Sequence, residues 1–116
     1  MNILNLTQHN ASIEQVKAGV YTPGPQTSAA IKSLLTFSEL PSTDEIHERA
    51  EKLYAIVEAE SPDAVMVGGA PYLLEVLVPM LRANGYTPLY AFSKRVVTES
   101  DGVKTSVFKH LGFVSV

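Results

Sequence analysis

Two stretches of the chain share one pattern of apolar and polar positions. Ile3–Leu6 and Ala64–Val67 are short apolar runs, each followed by a tight polar or glycine-rich turn and then by apolar residues at helical spacing. Near-continuous apolar runs of this length predict strands buried on both faces, as in a parallel sheet. After the first run, Ser12 with Gln15 three residues later predicts a capping box, with Ile13 and Val16 of the following helix turned to the sheet. After the second, Gly68-Gly69-Ala70 forms the turn and Pro71 suits the first helical position, where its missing N–H costs little.

Between these units, Tyr21–Pro25 (YTPGP) reads as a breaker. Ala30, Ile31, Leu34 and Leu35 then predict a helix over Thr27–Phe37. Ser42 and Glu45 form a second capping-box pattern. The helix that follows, Thr43 to about Glu60, carries the stripe Ile46, Ala50, Leu53, Tyr54 and Val57. Tyr72–Ala83 is apolar almost all round, so burial against the sheet and a partner is expected, and Pro79 should kink or shorten it. Pro88–Phe92 is a third parallel strand, followed by Ser93-Lys94-Arg95, in which Lys94 and Arg95 also read as a solvated pair at the start of a hairpin. Val96–Thr98 and Val103–His110, joined through Ser100-Asp101-Gly102, read as a hairpin, and Gly112–Val116 as a last short strand. The expected order is β-α-α-α-β-α-β plus antiparallel strands: a Rossmann-like three-layer α/β/α fold with a C-terminal antiparallel hairpin.

At 116 residues the chain fits one domain, residues 1–116. Its composition, 46% hydrophobic and 18% charged, is that of an ordinary globular protein. No apolar run reaches the roughly 18–20 residues of a membrane span, and the opening residues lack the features of a signal peptide. With no cysteine, thiol catalysis, thiolate metal sites and disulfides are excluded. A cytoplasmic protein is the expectation. The net charge of −3 argues against duplex nucleic acid as a partner. Residues 1–93 hold ten acidic and five basic side chains, and residues 94–116 two and four plus His110.

Candidate chemistry gathers where the predicted parallel strands end, since ligands of open α/β sheets bind outside those ends. Thr7-Gln8-His9-Asn10 offers hydroxyl, amide and imidazole groups; His9 suits acid–base work near neutral pH or a hydrogen bond to phosphate. Gly68 and Gly69 let a ligand approach the backbone, with Pro71 opening a helix N-terminus that favours anions. The loop is neither GxGxxG nor GxxxxGK[ST]. Ser93, Lys94 and Arg95 end the third strand on the same edge; Arg95 could grip a phosphate with two parallel hydrogen bonds and Lys94 as a point charge. His47 sits on the polar face of the long helix. The three histidines are far apart and no HExxH or DxD pattern occurs, so neither a metal nor a cofactor is expected. Any reaction would be metal-independent phosphodiester cleavage, with a ribose 2′-hydroxyl as nucleophile and charge held by His9, Lys94 or Arg95. Each turn also has a structural reading, in which Thr7 and Asn10 satisfy backbone groups and the glycines supply dihedrals.

A strand, a Q-H-x-A-S-x-E-Q loop and a helix, then a strand, G-x-x-P-x-x-L and a helix, resemble small CRISPR-associated Rossmann-like proteins of the ring-nuclease kind. The matching positions are Gln8, His9, Ala11 and Ser12, then Gly68, Gly69 and Pro71. The opening is also similar to phage and prophage proteins of this length. The resemblance implies a homodimer that binds a cyclic oligonucleotide between its subunits and modulates bacterial defence. This chain departs from the pattern in having Gln8 where a basic residue is expected and an added helix, Thr27–Phe37.

The reading that results is a nucleotide or cyclic-oligonucleotide binder, with His9 and Arg95 as catalytic candidates. Thr7, Gln8, Asn10, Ser12, Gly68, Gly69, Pro71, Ser93 and Lys94 are its ligand-binding candidates. Two alternatives stand beside it: a non-catalytic phage inhibitor that docks on a host protein through Tyr72–Ala83, and a small metabolic enzyme acting on a nucleoside phosphate.

Overall fold

The computed structural model describes residues 1–115. Its elements run β1 (Ile3–Leu6), α1 (Ile13–Lys17), β2 (Val20–Tyr21), α2 (Pro25–Leu35), α3 (Thr43–Glu60), β3 (Ala64–Val67), α4 (Pro71–Ala83), β4 (Pro88–Ser100) and β5 (Val103–Val114). They form one five-stranded sheet in the order β2-β1-β3-β4-β5. The β1–β2, β1–β3 and β3–β4 pairs are parallel, with Leu4 opposite Val65 and Val67 opposite Tyr90; β4 and β5 are antiparallel. This is a Rossmann-like α/β fold with a C-terminal hairpin.

The two strands with matching patterns, β1 and β3, lie side by side at the centre and are buried along their whole length. Their alternate side chains enter two separate clusters. Leu4, Leu6, Val65 and Val67 pack with Ile31, Leu53, Val57, Leu73, Leu77 and Leu81 from α2, α3 and α4, which forms the main core. Ile3, Ala64, Met66 and Val20 form a smaller cluster on the other face, against Ala11, Leu89 and Phe113. The layers are therefore unequal, with three helices over one face and the five-residue α1 over the other.

Several local expectations are corrected. The segment read as a breaker contains strand β2, whose two residues pair with β1; such a stretch is too short to show a period. Pro25 starts α2 as its first residue, so this helix ends at Leu35 and not Phe37. Ile13 and Val16 point away from the sheet, at 73% and 56% exposure. A helix of little more than one turn, held by its capping box, has no second turn with which to press that face inward. Ser42 caps α3 through Glu45 N, but the Glu45 carboxylate turns to Arg49 rather than back to the cap.

Arg49 shows what that exchange achieves. Its guanidinium donates to Leu34 O at 3.2 Å and to Thr36 O, pairs with Glu45 at 3.0 Å, and lies 4.1 Å from the centre of the Phe37 ring. A cation there satisfies carbonyls that the end of α2 leaves unpaired and complements its dipole. It locks α2 to α3.

Helix α4 continues through Pro79 to Ala83, with Leu73, Leu77, Val78 and Leu81 buried against α3 and the sheet. One stripe of this apolar helix thus finds its cover within the chain, while Tyr72 stays 44% exposed. The larger departure concerns β4, which does not stop at Phe92. It runs to Ser100 and pairs with β5 over its whole length from Tyr90, with one irregularity at Phe92/Ser93. The Asp-Gly turn is as read: Asp101 and Gly102 have φ of 51° and 77° and connect Ser100 to its partner Val103. Positive φ at both central residues marks the type I′ turn, whose twist suits a two-residue hairpin.

Candidate functional site

The chain leaves β1 towards β2 on one side and reaches β3 on the other. The gap between β1 and β3 is thus a topological switch point, where α/β sheets leave a crevice. A cavity of about 270 Å³ opens there, at the carboxyl ends of β1 and β3 and beside Tyr90 and Ala91 in the first part of β4. Thr7, Gln8, His9 and Asn10 line one side, Met66, Val67, Gly68 and Gly69 another, and Tyr90, Ala91 and Gln15 complete it.

One residue absent from the sequence reading organises this mouth. Asn5 lies within the apolar run ILNL and is 5% exposed, the one polar side chain in the buried core among the described residues. Its Oδ1 accepts from the Thr7 hydroxyl at 2.7 Å and from Thr7 N at 3.2 Å, and its Nδ2 donates to His9 O at 2.9 Å. Burying an amide is tolerated only when its groups are paired, and here the pairing folds the Thr7–Asn10 turn. The signal in the sequence was a polar residue inside a buried strand. Gln15, Met66, Tyr90 and Ala91 were also missed, because each reaches the mouth only through the packing of three elements.

The turns of β1 and β3 touch. A Cβ built on Gly68 would stand 3.1 Å from Thr7 Cγ2, so the missing side chain is what lets them lie side by side. Gly69 has φ of 144°, which favours glycine. At the start of α4, Pro71 has no N–H, and the N–H groups of Leu73 and Leu74 turn back to Ala70 O. Of the first-turn donors, Tyr72's remains.

The other candidates divide. Gln8 lines the cavity while its Nε2 donates to Thr36 Oγ1 at 2.7 Å, tying the turn to the end of α2. Beyond Gln8 and Gly69 lies a second depression of about 360 Å³, walled by Thr36, Phe37 and Tyr72. Ser12 is not at the cavity; its hydroxyl accepts from Gln15 N and Gln15 returns the bond to Ser12 N, so the capping box holds both. Pro71 opens α4 beside the mouth without lining it.

Ser93, Lys94 and Arg95 do not line the cavity. They belong to the hairpin, where Lys94 is opposite Lys109, and Arg95 is opposite Phe108 and donates to Ser106 Oγ. His110 pairs with Ser93 in register and stacks on Phe113, ring centres 4.8 Å apart, one strand beyond the cavity. No Asp, Glu, Lys or Arg therefore lines the mouth. It presents hydroxyl, amide and backbone groups to a ligand, with Met66, Val67 and Tyr90 as an apolar floor.

Among the described residues no three His, Asp or Glu side chains are grouped to hold a metal ion. Nor, among the described residues, is any helix long and apolar enough to cross a membrane. A family model, described as the Uncharacterized protein MJ1673 family, matches residues 1–114. No curated protein and no solved structure matches the chain.

Proposed function

The chain belongs to the MJ1673 family, and we propose that it binds a nucleotide or a cyclic oligonucleotide in the crevice between β1 and β3. The observation that carries this reading is that Thr7–Asn10 and Gly68–Gly69, some sixty residues apart in sequence, line one cavity at the switch point. Two glycines allow close approach of a phosphate to backbone, the Thr7–Asn10 side chains give hydrogen bonds, and the apolar floor suits a ribose or base edge. A volume of about 270 Å³ is at the small end for a small-molecule site, roughly 300–1,000 Å³.

Binding is better supported than turnover. His9 is the acid–base group at the mouth, and neither Lys94 nor Arg95 stands beside it to hold charge on a cleaved phosphodiester. In the wider reading, such a protein sequesters or senses a nucleotide signal of bacterial defence.

Incubation with a panel of linear and cyclic nucleotides, followed by thermal shift and by chromatography, tests this. At least one member should raise the melting temperature, with no product formed. Gly68→Val should abolish the shift, since even its Cβ crowds Thr7. A panel that stabilises nothing would reject the reading, and product formation removed by His9→Ala would replace binding with catalysis.

A further inference from the structure

The two features by which this chain departs from the ring-nuclease pattern, Gln8 and the added helix α2, meet in the structure. Gln8 Nε2 donates to Thr36 Oγ1, just past the end of α2, at 2.7 Å. Thr36 Oγ1 in turn donates to Lys32 O at 2.7 Å, and a carbonyl can only accept. The Thr36 hydroxyl has one proton and gives it to Lys32, so towards Gln8 it must accept. This fixes the amide: its NH2 faces Thr36, and its Oε1 points away and is left to accept from a ligand. A lysine or arginine at position 8 would offer no acceptor.

The same contact stands between two cavities. The mouth at the switch point and the depression of about 360 Å³ beyond it share Gln8 and Gly69. A Cβ built on Gly69 would stand 3.5 Å from Leu35 Cδ2, which lines the depression, so a side chain there would lean into it. Glycine keeps the step between the two open. The mouth by itself is at the small end for a ligand site; opened over Gly69 into the depression, it lies well inside the usual range, roughly 300–1,000 Å³. Across the depression Tyr72 is 44% exposed, and its ring meets Phe37 edge-on, centres 5.2 Å apart at 72°. Phe37 is held from its own side by the Arg49 guanidinium, 4.1 Å from the ring centre. Tyr72 is thus placed by its neighbours, with ring surface left for stacking.

We infer that the depression between Gln8 and Tyr72 is a second ring subsite, which takes the next unit of a ligand whose first unit occupies the mouth. The second ring stacks on Tyr72, and one of its N–H groups donates to Gln8 Oε1. The ligand class is then two linked nucleotide units rather than a mononucleotide. This rests on the nucleotide reading of the mouth and goes beyond it, because the walls of the second subsite come from α2 and Gln8, which the resemblance does not supply.

Calorimetric titration of the full chain with mononucleotides and with dinucleotides of the same base tests it. The dinucleotide should bind at least about fivefold tighter, the low end for a base stacked on an aromatic ring. In Tyr72→Ala that ratio should fall to about one, with the ligand-free melting temperature as the check on folding; so exposed a side chain can be truncated without unfolding the protein. Thr36→Val, which frees the Gln8 amide to turn, should lower the ratio as well. A ratio near one in wild type, or one unaltered in Tyr72→Ala, would overturn the second subsite and leave the nucleotide reading standing. A ratio kept in Thr36→Val would overturn the part given to Gln8. If mononucleotides and dinucleotides alike fail to bind, both readings fall together.

Discussion

Tyr21 shows how one side chain ties an edge to the body. Its hydroxyl donates to Glu60 Oε1 at 3.2 Å, so the two-residue strand β2 is fastened to the last residue of α3. Burial, then the hydrogen bond to Glu60 and the carboxylate's charge, push the phenol up to about 12 from 10.0. A folded value above the unfolded one means that the folded state holds its proton longer. The contribution is complete below pH 10 and is lost as pH rises towards 12. Thermal melts of wild type should thus fall more steeply over that window than those of Tyr21→Phe; parallel curves would refute the coupling. Asn5 is the other instructive residue. Its place in a strand was legible from the sequence, but its role in shaping the mouth was not, because the groups that it pairs are set by how the following turn folds back.

At the scale of elements, strong local signals survived and marginal ones yielded to packing. The capping box of α1 and the Asp-Gly turn formed as read, since both are closed by atoms within a few residues. Strand β2 escaped notice because two residues carry no period, and it exists through pairing with β1. The end of β4 was misplaced for a related reason. Ser93-Lys94-Arg95 looks like a turn when read alone, but it continues as strand because β5 offers a complete ladder. Pro79 tests the opposite balance. The burial of Leu73, Leu77, Val78 and Leu81 holds α4 helical on both sides of a residue that cannot bond to the Glu75 carbonyl. Pro79→Ala should restore that bond and raise stability by about 1–3 kcal/mol in urea unfolding. No gain would show that the carbonyl is already satisfied elsewhere.

The whole molecule is an acidic body and a basic two-stranded ribbon, residues 92–111 of β4 and β5, and this division sets its chemistry. The mouth at the switch point is nearly neutral because the cations expected there sit on the ribbon instead.

The chain's own pattern determined what depends on neighbours in sequence: buried β1 and β3, the long amphipathic α3, the small-residue loop that opens α4, and the tip of the hairpin. It also brought Thr7–Asn10 and Gly68–Gly69 into consideration together, since parallel strands share one ligand-facing end. Tertiary structure alone decided which other side chains reach that mouth, that β2 forms at all, and that Ser93–Arg95 leave the sheet on a ribbon. Those outcomes rest on pairing between segments far apart along the chain, and local spacing holds no record of which strand will be there to pair.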